Sequence, residues 1–234
     1  MRPTGRRTNN LRSFVKMKDT FCGNPQEICD LFDYILEYQT GKNQPVELLW
    51  YNYIRISMVI MRLYRITREE ILNVKISDII GSAVIVNNKT ITIDSCFIKY
   101  LGKAVEVLKA IPSDKLCCNI GQETITNVDE LRSVIVNFQT YCRKILTRTN
   151  RFPLKSIALS DLSDSIIFYT IYRYDSEVGC NHDYEKLKML FIHYYKSDNL
   201  SEYGLTGKTV IKYELYLKWV VTFYDDKKGN EYGI

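Results

Sequence analysis

The sequence predicts a mainly α-helical chain with a small antiparallel β-hairpin or sheet, an α+β fold, and three features predict it. Apolar residues return at helical spacing in one segment after another. Two short β-rich runs, 83–86 and 90–93, flank Asn87-Asn88-Lys89, a turn whose asparagines tolerate positive φ and which carries a lysine at the hairpin tip. Thr67-Arg68-Glu69-Glu70 sets a threonine N-cap and two acids ahead of Ile71 and Leu72, a helix start.

Taken in order, residues 1–20 read as a basic arm. Arg2, Arg6, Arg7, Arg12, Lys16 and Lys18 precede the first acid, Asp19, so this stretch is either a solvated tail or an arm lying along phosphates. Residues 21–234 are expected to form one domain. Asn24-Pro25 and Glu27 open a helix with Ile28, Leu31, Phe32, Ile35 and Leu36 on its apolar face, closed by Gly41. The helix that includes Trp50 is apolar almost all round, through Ile54, Ile56, Met58, Val59, Ile60, Met61 and Leu63, and is expected to be buried by its neighbours. Arg55, Arg62 and Arg65 break that surface at steps of seven and three, which puts them in one stripe.

The helix opened by Thr67 should run through Ile71, Leu72, Val74 and Lys75 and end at Ser77-Asp78. Beyond the hairpin, 97–111 places Leu101, Val105, Leu108 and Ile111 on one helical face and stops at Pro112. Residues 113–126 read as a polar loop. Asn127-Val128-Asp129-Glu130 starts a helix with Leu131, Val134, Ile135, Phe138 and Tyr141 inward, whose end is basic at Arg143, Lys144, Arg148 and Arg151. Those cations either complement the helix dipole or contact phosphate. Apolar helices follow at 166–172 and 207–224. The last, with Val210, Ile211, Leu215, Leu217, Trp219 and Val220, either packs on its own domain or joins a homo-oligomer.

Composition sets the outer bounds. With 234 residues, 46% of them hydrophobic, the chain can bury a substantial core. A net charge of +5 tilts weakly toward an anionic partner. Seven cysteines, an odd number, include no CxxC or Cys/His spacing, and there are only two histidines. A reduced, cytoplasmic protein with no metal and no cofactor is therefore expected. No apolar run is long enough to span a bilayer.

The stretch RITREEILNVKISDI, followed by a hairpin with Lys89-Thr90, resembles the first active-site block of the tyrosine recombinases, the phage integrase family. There a buried helix ends in Gly-Leu-Arg-Ile-Ser-Glu, a second helix reads Leu-x-Leu-x-Trp-x-Asp-Ile, and a hairpin lysine follows. Without gaps Thr67 takes the place of the family arginine; with one inserted residue Arg65 does. The second block, His-x-x-Arg-His, aligns on 159–165, where Ser160, Ser163 and Asp164 replace the first histidine, the arginine and the second histidine. The third aligns on Leu190-Phe191-Ile192-His193, and Tyr203, ten residues on, is the better candidate for the nucleophilic tyrosine, Tyr213 being twenty along.

The resemblance implies a tyrosine-recombinase catalytic-domain-like fold whose chemistry has been lost. Each family arginine clamps the scissile phosphate and offsets charge in the five-coordinate transition state; losing one such donor typically costs ~10²–10³ in rate. A serine is a weaker donor and an aspartate repels phosphate. The expectation is a non-catalytic protein that binds double-stranded DNA, similar to the integrase-fold lysogeny repressors of SPβ-like phages, through Arg65, Arg68, Lys89, Lys99, Arg143, Lys144 and Arg148, and more weakly Lys208 and Lys212. The alternatives are an active recombinase with a rearranged site and a module that pairs with a recombinase.

Overall fold

Helix α1 (Pro25–Thr40) begins where proline's missing N–H costs nothing and buries Ile28, Leu31, Phe32 and Ile35 completely. Helix α2 (Val46–Leu63) lies against it and buries a continuous run from Ser57 to Met61. The computed structural model describes residues 21–41, 45–111, 113–149, 158–177 and 182–224. The basic arm, Pro112 and Arg151 lie outside them. The chain divides into two compact units, Pro25–Phe152 and a second built from its two ends, Met1–Asn24 with Pro153–Ile234.

In the Pro25–Phe152 unit a single helical turn, α3 (Arg68–Ile71), follows α2. A three-stranded antiparallel sheet comes next, β1 (Ile79–Ile80), β2 (Ala83–Val86) and β3 (Lys89–Thr92), in the order β1-β2-β3. Helix α4 (Ile98–Leu108) and the long α5 (Val128–Thr149) complete the unit, α4 packing on α2 and α5 on α2 and α3. Polar groups at the α1/α2 contact are satisfied in a chain: buried Asn52 donates to Gln39 and accepts from Arg55. Tyr100, edge-on to Phe32 at 5.6 Å, donates its hydroxyl hydrogen to the Cys29 carbonyl at 2.7 Å and to Asp33 at 2.8 Å.

The second unit holds α6 (Leu159–Tyr174), α7 (Tyr184–Tyr195) and α8 (Gly207–Trp219), with a 3₁₀ turn (Leu200–Tyr203) before α8 and a π-type turn (Val220–Tyr224) after it. Its core is strongly aromatic: Phe168, Phe191, Tyr213 and Tyr216 are fully buried, and Phe21 meets Tyr216 edge-on at 5.5 Å.

The mainly helical class with a small antiparallel sheet is the one the sequence predicts. Three details differ. The helix opened by Thr67 stops after one turn, because the Val74 carbonyl and Ile76 N–H pair with Leu116 and Asp114 at 3.1 and 2.8 Å; backbone pairing with a distant segment outweighs local propensity. For the same reason 113–126 is no simple polar loop, and Leu116, Cys117, Cys118 and Ile125 are buried. Lys89 is not at the hairpin tip but opens β3 opposite Val86, since Asn87 and Asn88, at φ 48° and 62°, form the two-residue turn by themselves.

Candidate nucleic-acid interface

The end of α2 concentrates positive charge. Its last turn closes with Arg65 N–H on the Arg62 carbonyl and Ile66 N–H on the Met61 carbonyl, both at 3.1 Å, the double hydrogen bond of a Schellman cap. That cap requires a left-handed residue, and Arg65 occupies it at φ 62°. Glycine is the usual occupant; an L side chain there costs roughly 1–2 kcal/mol. Arg65 is thus outside the helix, and the sequence-based stripe of Arg55, Arg62 and Arg65 is not one face. Arg55 is tucked in, its guanidinium 4.6 Å from the Tyr51 ring and 5.0 Å from that of Phe138.

Arg62 reaches over the cap and donates to the Ile66 carbonyl at 2.6 Å. Burial lowers its pKa, with the like charges of Arg68 and Arg65 adding to this and Glu69 and Glu70 opposing it. Thr67, exposed, sits in a capping box: its Oγ1 accepts from Glu70 N–H at 3.2 Å while Glu70 Oε2 accepts from Thr67 N–H at 2.7 Å. The other Glu70 oxygen accepts from Asn87 Nδ2 at 3.1 Å, which fastens the hairpin turn, and with it the base of β3 at exposed Lys89, to the helix start beside Arg68. Tyr64, preceding Arg65, donates to the Asp94 carboxylate and accepts from Asp94 N–H at 2.8 Å.

Helix α5, packed on the same short helix, carries exposed Arg143, Lys144 and Arg148 with no acid after Glu130. Lys99 differs: its ammonium is bonded to Asp33 and leans on the Tyr100 ring at 5.0 Å.

In the second unit, the segment aligned with His-x-x-Arg-His starts α6. Ser160 and Asp161 stand in its first turn, and Ser163 is buried with its hydroxyl lacking a hydrogen-bond partner. Asp164 is buried, and Lys212 of α8 donates to Asp161 and Asp164 at 2.9 Å each. Lys212 is therefore held in a network of its own, whereas Lys208 is exposed. His193 is exposed on α7 with its ring 5.5 Å from that of Tyr174. Tyr203 lies in the 3₁₀ turn, its hydroxyl donating to the Tyr195 carbonyl at 3.5 Å and its ring 4.6 Å from Tyr195. Ile211 and Leu215 of α8 are exposed.

Sequence reasoning gave no role to a buried trio in this unit. Tyr213 donates to Asp175 Oδ2 at 3.1 Å, and His182 Nε2 is 3.1 Å from the same oxygen. Burial, then the Asp175 charge, raises the Tyr213 pKa, which keeps the phenol protonated. Both side chains around Asp175 are closed to solvent, so the trio is a satisfied core contact. Only the presence of an aspartate and a histidine close in sequence hinted at it.

Among the described residues no group of His, Cys, Asp and Glu could hold a metal ion, and no helix is long and apolar enough to cross a membrane. No protein-family model, curated protein or solved structure matches the chain.

Proposed function

We propose that this chain is a non-catalytic, duplex-DNA-binding protein on a degenerate tyrosine-recombinase-type scaffold, acting as a transcriptional regulator of a phage or mobile element. What carries the DNA contact is Arg65: a cation kept in a backbone position that disfavours it, flanked by Arg62 and Arg68. Charge repulsion and a left-handed arginine both cost folding free energy, and a phosphate backbone is a partner that repays both. Lys89, Arg143, Lys144 and Arg148 extend the basic surface within the same unit. Lys208 is a further candidate, while Lys99 and Lys212 already hold carboxylates.

The absence of cutting chemistry rests on the residues themselves. A neutral serine without a partner and an aspartate pair closed by one lysine offer no clamp for a pentacoordinate phosphorus. Among the described residues the Tyr203 hydroxyl is paired with a carbonyl, to which it donates, and not with a base.

Selection of bound duplexes from a random pool, followed by salt titration and a cleavage assay on the winners, tests the whole reading. Log affinity should fall linearly with log salt. Arg68→Ala and Lys89→Ala should each reduce that slope by about one. A slope indifferent to both substitutions sinks the interface, and strand cleavage lost on Tyr203→Phe sinks the claim of inactivity.

A further inference from the structure

The cysteines of the Pro25–Phe152 unit are not equivalent. Cys117, Cys118 and Cys142 are buried, and burial pushes the thiols of Cys117 and Cys142 up to about 12, which makes them inert. Cys96, by contrast, is partly open to solvent in the 3₁₀ turn Ser95–Phe97 that leads into α4. Its thiol neighbours that of Cys29, which is fully buried on α1, the helix packed against this turn.

Two further contacts hold the same pair of segments together. Asp33, one turn after Cys29, is bonded to Lys99, one turn after Cys96. Tyr100 donates to the carbonyl of Cys29 itself at 2.7 Å. The segments that carry the two sulfurs are thus held together by groups that do not depend on the thiols.

We propose that Cys29 and Cys96 form an oxidation-sensitive thiol pair, with Cys96 reacting first with a hydroperoxide and Cys29 closing the disulfide. The Cys96 thiolate attacks the terminal peroxide oxygen, the O–O bond breaks, and hydroxide or alkoxide leaves, giving a sulfenic acid. The Cys29 sulfur then attacks the sulfenic sulfur; an S–S bond forms, the S–O bond breaks, and the hydroxyl leaves with the Cys29 proton as water. Two thiols lose two electrons and one peroxide gains them.

The environment assigns the roles. The contact with Cys29 and the charge of Lys99 favour the Cys96 thiolate, opposed by burial and by Asp94; Cys29 is shifted upward by its contact with Cys96 and then by burial, and keeps its proton. The inference does not depend on DNA binding.

The reduced full-length chain is treated with limiting hydrogen peroxide, blocked with N-ethylmaleimide, digested and analysed by mass spectrometry. A Cys29–Cys96 linked peptide, two hydrogens lighter than the separate peptides and restored by dithiothreitol, is the expected product. In Cys29→Ser, Cys96 should accumulate as a dimedone adduct without the link. With the unsubstituted protein, iodoacetamide at neutral pH should label Cys96 about tenfold faster than Cys142, a measurement that stands even where the variant does not fold. A link through another cysteine, or equal labelling of Cys96 and Cys142, overturns the proposal.

Discussion

Two charged clusters, one in each unit, use basic residues in opposite ways. At the start of α6, Lys212 lies between Asp161 and Asp164, 2.9 Å from each, and is only 29% exposed. Its charge is consumed at home. At the end of α2, burial and then the like charges of Arg68 and Arg65 lower the proton affinity of Arg62, with Glu69 and Glu70 as partial offset, and Glu70 is itself engaged by Thr67 and Asn87. A count of basic residues cannot separate the two situations. In the second the cations, Arg62, Arg65 and Arg68, outnumber the neighbouring carboxylates, Glu69 and Glu70, and the candidate interface lies there.

The largest expected effect tests the first cluster. Lys212→Met keeps the stem that covers the Phe21 ring, 5.6 Å from the ammonium, but strands two partly buried carboxylates. The unfolding free energy of that unit should fall by about 2 kcal/mol, less than for a fully buried pair because water reaches the site. Urea melts followed by tryptophan fluorescence of Trp219, in the same unit, give the number. DNA affinity measured under native conditions should not change. A tenfold loss of affinity instead would move the interface toward α6 and erase the distinction between the clusters.

Glu70→Ala is expected to act at an intermediate level. It removes one half of the capping box and the anchor of Asn87, which together stabilise by about 1 kcal/mol. It also removes a negative charge from beside the arginines. Stability should therefore fall while affinity for duplex rises at low salt, a divergence visible by comparing melts with a fluorescence-anisotropy titration. Parallel losses in both would mean that the carboxylate serves the DNA contact by positioning Lys89 rather than by tempering the charge.

How much of this was legible beforehand depends on the range of the interactions involved. Thr67 and Glu70 announce a capping box three residues apart, and Asn87-Asn88 announce a tight hairpin; both are local and both are present. The fate of Val74 and Ile76 was not legible, because their partners lie some forty residues away at Leu116 and Asp114. Nor could spacing reveal that Arg65 leaves the helix. A 3.6-residue repeat continues on paper past Leu63, whereas the chain turns at Tyr64, whose hydroxyl is held by Asp94. Lys212 was legible as a cation but not as a spent one, its partners being on another helix.

The smallest change sharpens the contrast most. Arg65→Gly places in the left-handed cap the residue that suits it, and the two hydrogen bonds from positions 65 and 66 need no side chain. Relief of the φ 62° strain outweighs the greater freedom of glycine in the unfolded chain, for a net gain of about 0.5–1 kcal/mol. If Arg65 is retained for phosphate, the same variant should bind duplex more weakly and lose about one from its salt slope. Arg65→Lys separates the causes: it keeps charge and strain, so stability should stay put while affinity drops only as far as a bidentate contact is lost. A glycine variant both more stable and equally good at binding DNA would mean that the strained arginine has no phosphate to hold, and the proposed interface would lose the residue on which it is built.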